Sequence, residues 1–356
     1  MLFGLAIYWY AVCILVGVAV GTWVVSRLAE ARARAVFAAA VPAEVRDQPL
    51  ADAGLPAEVG AALAKRRLTT LGEALYEVGL DPRRLGLRPA ERQQVVAALA
   101  KTAGVAPGWT TDAPWRVWSP DHAWGGLVWM LILGLLGARL YHVLTPSPSM
   151  AAVGIYSPLD YFRYPRQLLS FRSGGLGIYG AIAGGLLAVL LYTRRNRLPT
   201  LAWGDLAVVG AALGQAIGRW GNFFNQELYG RPTTVPWAIT IDPRHRLPDY
   251  VDFSTFHPAF LYESLWSLLT FFVLLWLTRR RAARLLPGEL LALYLVAYAL
   301  GRTLLELVRL DSRAVPFLGL ETGLAVATIV SLLVTALAVV AVAARRLRRR
   351  RAGSGG

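Results

Sequence analysis

Apolar residues in this chain gather into long runs instead of alternating with polar ones. A membrane-spanning helix needs about 20 mostly apolar residues. Seven stretches approach that length: 1–26, 122–144, 173–193, 201–219, 258–278, 290–308 and 322–344. The first, third and seventh carry no charge. The second holds Arg139, the fourth Asp205, the fifth Glu263, and the sixth Arg302 with Glu306. The fourth and sixth are the shortest of the seven and the most interrupted by polar groups. The pattern predicts an all-α, polytopic membrane protein with seven transmembrane helices.

Composition sharpens this. Apolar residues make up 56% of the chain and charged residues 17%, against roughly 45–50% and 25% in soluble domains. The net charge is +15, carried almost wholly by arginine, since Lys65 and Lys101 are the only lysines. Basic residues follow the first, third, fifth and seventh runs. They occupy 27–120, 194–197, 279–284 and 345–351. The positive-inside rule places these segments in the cytoplasm. The N-terminus and the loops 145–172, 220–257 and 309–321 then face outward, and the C-terminus is cytoplasmic. Residues 1–26 lack the basic start of a secretory signal, and Arg27 follows the apolar run, so the first helix is read as retained despite Ala29-Glu30-Ala31. The tail arginines read as a topology anchor, with anionic lipid as a further partner. Cys13 is the single cysteine, and His122, His142, His245 and His257 are the only histidines. That excludes an internal disulfide and argues against a metal centre.

The division is a first transmembrane helix over 1–27, an insert over 28–117, six further helices over 118–344, and a basic tail over 345–356. The insert carries 12 basic and 10 acidic residues and is too polar to span. Apolar spacing predicts helices over 57–65, 70–78 and 89–101. Thr70 and Asp81 suit helix caps or turns. Residues 68–75 resemble small helix-hairpin-helix modules, which often touch nucleic acid. The near-neutral charge offers no basic face for that, so a small cytoplasmic helical domain for docking or stability is expected, with no nucleic-acid partner.

The chemistry-bearing residues are the polar groups at membrane depth, where a charge costs at least about 2.5–3.5 kcal/mol and marks function by default. The densest group is Gly218-Arg219-Trp220-Gly221-Asn222-Phe223-Phe224-Asn225-Gln226-Glu227-Leu228-Tyr229-Gly230. Its glycines permit close backbone approach. Arg219 offers a planar fork for a phosphate. Asn222 and Asn225 hydrogen-bond without a charge, and Glu227 neutralises an arginine or accepts a proton. A capped outer loop with one ion pair is the plainer reading. A second group, Tyr298, Arg302 and Glu306, lies on one helix face by its i, i+4, i+8 spacing. It reads either as a self-neutralised pair or as a second arginine for one phosphate. The third, Arg172-Ser173-Gly174-Gly175-Leu176-Gly177-Ile178-Tyr179-Gly180, opens the third run. It suits an anion at a helix N-terminus or close packing through small residues. The fourth is His257-Pro258-Ala259-Phe260-Leu261-Tyr262-Glu263, with Pro258 suited to a first helical turn.

In order, these segments resemble the prolipoprotein diacylglyceryl transferase family, with Tyr8-Trp9-Tyr10 as a further matching motif. The Gly218–Gly230 run is the family's specific signature, and the other motifs fall in the expected order. The resemblance implies seven crossings with the N-terminus outside, in a bacterial inner membrane, with the active site toward the outer face. It implies transfer of the diacylglyceryl group of phosphatidylglycerol to the lipobox cysteine thiol of a preprolipoprotein, with release of glycerol 1-phosphate. Phosphatidylglycerol, preprolipoprotein lipobox peptides and membrane lipid are the implied partners, and no cofactor or metal is implied. By the same resemblance Arg219 and Arg302 hold the phosphate. Asn222, Asn225, Glu227, Gly230, Tyr10, Gly174, Gly175, His257 and Glu263 shape the site, and Tyr298 and Glu306 match positions that matter in the family. Many members carry a histidine where this chain has Tyr179. An unperturbed phenol, with a pKa of about 10, is a better hydrogen-bond donor than a base. Glu227, Glu263, Glu306 and thiolate stabilisation by the arginines alone remain the alternatives. The 28–117 insert is a second departure.

Two other classes compete. A transporter also carries intramembrane charges but typically shows internal repeats and a midplane site. No repeat is visible, and the polar groups cluster at outer helix ends. A structural scaffold leaves the Gly218–Gly230 run without a purpose.

Overall fold

The structure is a computed structural model that describes residues 8–146, 148–164, 177–310 and 326–353. It is dominated by helices, as the apolar runs predict. They are α1 (Trp9–Ala40), α2 (Ala57–Lys65), α3 (Leu71–Leu80), α4 (Pro89–Lys101), α5 (Asp121–Leu144), α6 (Ile178–Arg195), α7 (Thr200–Gly218), α8 (Trp220–Asn225), α9 (Ala259–Arg280), α10 (Glu289–Glu306) and α11 (Val326–Gly353), joined by short helical turns. Two short strands, β1 (Ile239–Thr240) and β2 (Thr255–Phe256), pair antiparallel between α8 and α9. They are the one departure from an all-α pattern among the described residues.

Among those residues, four helical stretches are long and apolar enough to cross a membrane: Trp9–Ala40, Asp121–Leu144, Thr200–Asn225 and Ala259–Arg280. Large apolar side chains stand exposed along such helices, with Leu131, Leu136, Leu265 and Phe272 each more than half exposed. Surfaces of that kind need an apolar solvent, and the chain is a multi-pass membrane protein.

The chain divides into two compact units, Met1–Val25 with Leu201–Gly356, and Ser26–Thr200. In the Ser26–Thr200 unit, α1 runs on past the apolar stretch as one helix to Ala40. The 27–40 segment holds seven alanines and no glycine or proline, so helix propensity continues where hydropathy stops. Ala33 and Phe37 from this extension join Leu63, Leu75, Leu99 and Trp115 in a soluble-type core. The Trp115 indole donates to the Tyr76 carbonyl at 3.1 Å. Thr70 caps α3 with a full capping box, accepting from Glu73 N–H at 3.2 Å while the Glu73 carboxylate accepts from Thr70 N–H at 3.0 Å. Burial raises the Glu73 pKa, but the Thr69 and Thr70 N–H groups outweigh it and leave the carboxyl below its usual range. In the same unit α5 and α6 pack through glycines. A Cβ on Gly137, Gly180 or Gly184 would collide with the facing backbone, so the Gly-x-x-x-Gly spacing lets these helices touch main chain to main chain.

The Met1–Val25 and Leu201–Gly356 unit uses the same device. A Cβ on Gly17 would stand 2.7 Å from the Gly214 carbonyl, and one on Gly21 would stand 2.6 Å from that of Gly210, which locks the N-terminal half of α1 onto α7. Asp205, the charge inside the fourth apolar run, is explained by capping. Its buried carboxylate accepts from Gly288 N–H at 2.7 Å and Leu291 N–H at 2.9 Å, satisfying the orphan donors at the start of α10. Arg346 pairs with Glu289 and Arg345 donates to the Pro287 carbonyl, so part of the basic tail clasps the same helix start.

Candidate active site

The Gly218–Gly230 run folds as the end of α7, a tight turn and the short α8. Arg219 sits at the turn between the two helices. A Cβ on Gly221 would stand 2.8 Å from the Tyr10 ring, so glycine there admits Tyr10 against the α8 backbone. Trp9 stacks on Phe224 at 5.5 Å between centroids. Asn222 is buried. Its amide donates to Glu227 Oε1 at 3.0 Å, and its carbonyl accepts from Glu227 N–H at 3.1 Å. Gln226 and Leu228, on either side of Glu227, both adopt left-handed backbone with φ of 50° and 53°. Such strain costs about 1 kcal/mol or more per residue and clusters at functional sites.

The carboxylate of Glu263, in the first turns of α9, is bridged by two guanidinium groups. One oxygen pairs with Arg219 Nε, and the other with Arg309 Nη1 at 2.9 Å. The Glu263 and Arg309 side chains are each 9% exposed and that of Arg219 is 32% exposed. Removing one partner from such a buried network costs about 3–5 kcal/mol, because it strands the other charge. Arg302 and Glu306 approach to 3.1 Å on α10, with side chains 16% and 17% exposed. The two charges are close but poorly aimed. Among the described residues, Arg302 Nη1 and both Glu306 oxygens have no hydrogen-bond partner, a state native interiors rarely leave unexplained.

Backbone bonds gather these pieces. Gly230 N–H donates to the His257 carbonyl at 2.9 Å, His257 N–H to Arg231 at 3.0 Å, and Arg231 N–H to Val308 at 2.7 Å. A Cβ on Gly230 would stand 2.7 Å from the Val308 carbonyl, so only glycine fits where three segments meet. The Tyr262 hydroxyl lies 3.0 Å from His257 Nδ1 and accepts from the Trp237 indole at 2.7 Å. Among the described residues no group of three His, Cys, Asp or Glu side chains is arranged to hold a metal ion.

Of the residues singled out by sequence, Arg219, Glu263, Gly230 and His257 are thus joined through side-chain or backbone bonds. Asn222 pairs with Glu227, Tyr10 covers Gly221, and Arg302 pairs with Glu306. Asn225 is exposed at the end of α8, and Tyr298 is exposed on α10. Tyr179 belongs to the Ser26–Thr200 unit, where its ring lies 5.8 Å from that of Tyr141. Gly174 and Gly175 lie outside the described residues. The later glycines of that motif, Gly177 and Gly180, pack against Tyr141 and Gly137, in line with the packing reading. Sequence reading missed Arg309 and Tyr262. Arg309 continues the Arg302–Glu306 stripe at i+7, and that helical spacing was the available signal. Tyr262 stood inside a quoted motif but carried no charge to draw notice.

Comparison with known proteins gives a consistent result. Residues 96–344 match the model of a family described as prolipoprotein diacylglyceryl transferase. A phosphatidylglycerol–prolipoprotein diacylglyceryl transferase of Chloroflexus aggregans is 40% identical over 256 residues, covering 67% of this chain and 76% of that protein. A transferase 2 of the same name from Streptomyces coelicolor is 46% identical over 197 residues, 54% of this chain and 58% of its own. One from Frankia alni is 44% identical over 203 residues, 57% and 50%.

Proposed function

The chain belongs to the prolipoprotein diacylglyceryl transferase family, and from that premise we propose that it moves the diacylglyceryl group of phosphatidylglycerol onto the lipobox cysteine of a preprolipoprotein. The observation that carries this reading is the partly buried Arg302–Glu306 pair, whose facing atoms find no hydrogen-bond partner among the described residues. It is ready-made for a polar ligand at an apolar boundary.

The thiol sulfur attacks the glycerol carbon that bears the phosphate. A C–S bond forms as the C–O bond breaks, and the electron pair leaves on the phosphate oxygen of glycerol 1-phosphate. Arg219 and Arg302 stabilise that departing charge in a low-dielectric setting. The thiol, with an unperturbed pKa of about 8.5, gives its proton to a base or ionises beside the arginines. Glu263 already has both oxygens on arginines, which leaves Glu227 and Glu306 as acceptors. Asn222 orients Glu227. Gly230, Tyr10 and His257 shape the walls, with Asn225 and Tyr298 as further contacts to substrate.

In this reading the chain crosses a bacterial inner membrane seven times, with the N-terminus and site outside and the basic segments and the 28–117 insert in the cytoplasm. The positive-inside distribution supports that orientation. The test is transfer by purified protein from phosphatidylglycerol to a lipobox peptide, read by mass. A gain of one diacylglyceryl group, absent with a Cys→Ser peptide, is expected. No gain from folded protein overturns the reading. Tyr179→Phe is expected to lower turnover, and full activity removes that hydroxyl from the site.

A further inference from the structure

Beside the arginine network, a cleft of ≈ 240 Å³ opens between α8 and the strand segment. Asn222, Glu227, Phe223, Phe260 and Thr240 are among its lining residues. The strand register makes the Thr240 edge informative. Ile241 N–H donates to the Ser254 carbonyl at 3.2 Å, and the register pairs Ile239 with Phe256 and Thr240 with Thr255. In an antiparallel ladder hydrogen-bonded and non-hydrogen-bonded pairs alternate. Thr240 therefore occupies a non-hydrogen-bonded position, and its N–H and C=O point away from β2. The flanking outward donors are taken, Ala238 N–H by the Val235 carbonyl at 3.0 Å and Asp242 N–H by the Gln226 side chain at 2.7 Å, so the open edge is the single residue Thr240. The cleft thus joins the open Thr240 edge, aromatic rings and the carboxylate of Glu227, which accepts from the Asn222 amide at 3.0 Å.

We propose that this cleft binds the acceptor as an extended peptide, which pairs its main chain with the Thr240 edge and lays an apolar side chain against the contacting rings of Phe223 and Phe260, whose centroids lie 5.1 Å apart. A strand edge recognises main-chain amides, which a hydrocarbon chain lacks. The volume lies below the roughly 300–1,000 Å³ of pockets for drug-sized ligands, and so suits a side chain or two and not a diacyl tail. The cleft is continuous with Glu227, so a nucleophile carried on that peptide arrives beside a proton acceptor. The identity of the peptide as acceptor rests on the transfer reading above. The binding itself does not require turnover.

The experiment measures affinity of a fluorescent lipobox peptide with Cys→Ser for the full-length protein in phosphatidylglycerol nanodiscs. Thr240→Pro removes one outward donor and leaves the β2 pairing in place. It is expected to weaken binding about tenfold. Asp249→Ala, on the same excursion but outside the cleft, leaves affinity unchanged. Peptides N-methylated at one residue at a time give the same answer with the unaltered protein. Loss at one or two positions is expected, whereas uniform affinity across the set overturns strand pairing. Unchanged affinity in a folded Thr240→Pro protein also overturns the proposal. So does a rise in KM for phosphatidylglycerol with peptide affinity intact, which makes the cleft a lipid site. Peptide binding that depends on Thr240 in a protein without transfer activity sinks the transfer reading and keeps the cleft.

Discussion

Arginine–carboxylate pairs occur both in the helical insert and in the candidate site, and they obey different physics. In the insert, Arg83 pairs with Asp81 at 2.7 Å while its own side chain is 80% exposed. Water competes for both partners, and such pairs contribute little. In the site, Glu263 is held by Arg219 and Arg309 with a tenth or less of the Glu263 and Arg309 side chains exposed. There the attraction is strong and so is the penalty for removing one partner. The insert draws its order from an apolar core around Leu75 and Trp115 and from caps. The site holds charge that its surroundings make costly, which is the expected signature of a place that must meet a charged ligand. Buried charge is not by itself that signature, as Asp205 shows. Its carboxylate accepts from two N–H donors at the start of α10, as a cap.

The sharpest break of the comparison is Arg302→Ala or Arg219→Ala. Each is expected to lower transfer about 10²–10³-fold, the scale of losing one charge-stabilising donor, in protein that still inserts in the membrane. Near-normal turnover by either variant places the site elsewhere. Asp205→Ala separates burial from function. It is expected to destabilise the fold by about 2–3 kcal/mol through the orphaned α10 donors, seen as a lower melting temperature, while kcat of the folded fraction stays unchanged.

Within the insert the effects are smaller. Thr70→Ala is expected to cost about 1 kcal/mol in stability by loss of the α3 cap, with no change in peptide or lipid KM. Acid tests the same elements. Net hydrogen bonding holds Glu73 and Asp81 below their ordinary values of 4.5 and 3.8. Both therefore stabilise the fold fully above those values and lose that contribution as pH falls below them, through their lower folded values. The intrinsic fluorescence of the full chain, to which Trp115 contributes, should report loosening in that acid range. A signal unchanged through it argues that the caps carry no stability. Arg83→Ala is the smallest, with no resolvable shift in melting temperature, because its pair is solvent-screened.

The linear pattern of residues determined a good deal. Apolar runs located four helices long and apolar enough to span among the described residues, out of seven expected, because burial in lipid needs a fixed length of apolar chain. Capping chemistry placed Thr70 and Asp81 where they are found, because a cap is satisfied within three residues of itself. The Gly218–Gly230 run announced a site through its density of costly groups. Tertiary structure alone decided the partners. Glu263 and Arg309 stand 46 positions apart, and Asp205 meets its donors 83 and 86 positions away. Periodicity reports which face of an element a residue occupies, not which distant side chain waits there. That is why Asp205 and Glu263 look alike as isolated acids in apolar runs, yet one caps a helix and the other bridges two arginines. The open edge at Thr240 follows the same logic. It is set by the register of two strands that hydropathy did not mark, and only the folded chain brings it to the cleft.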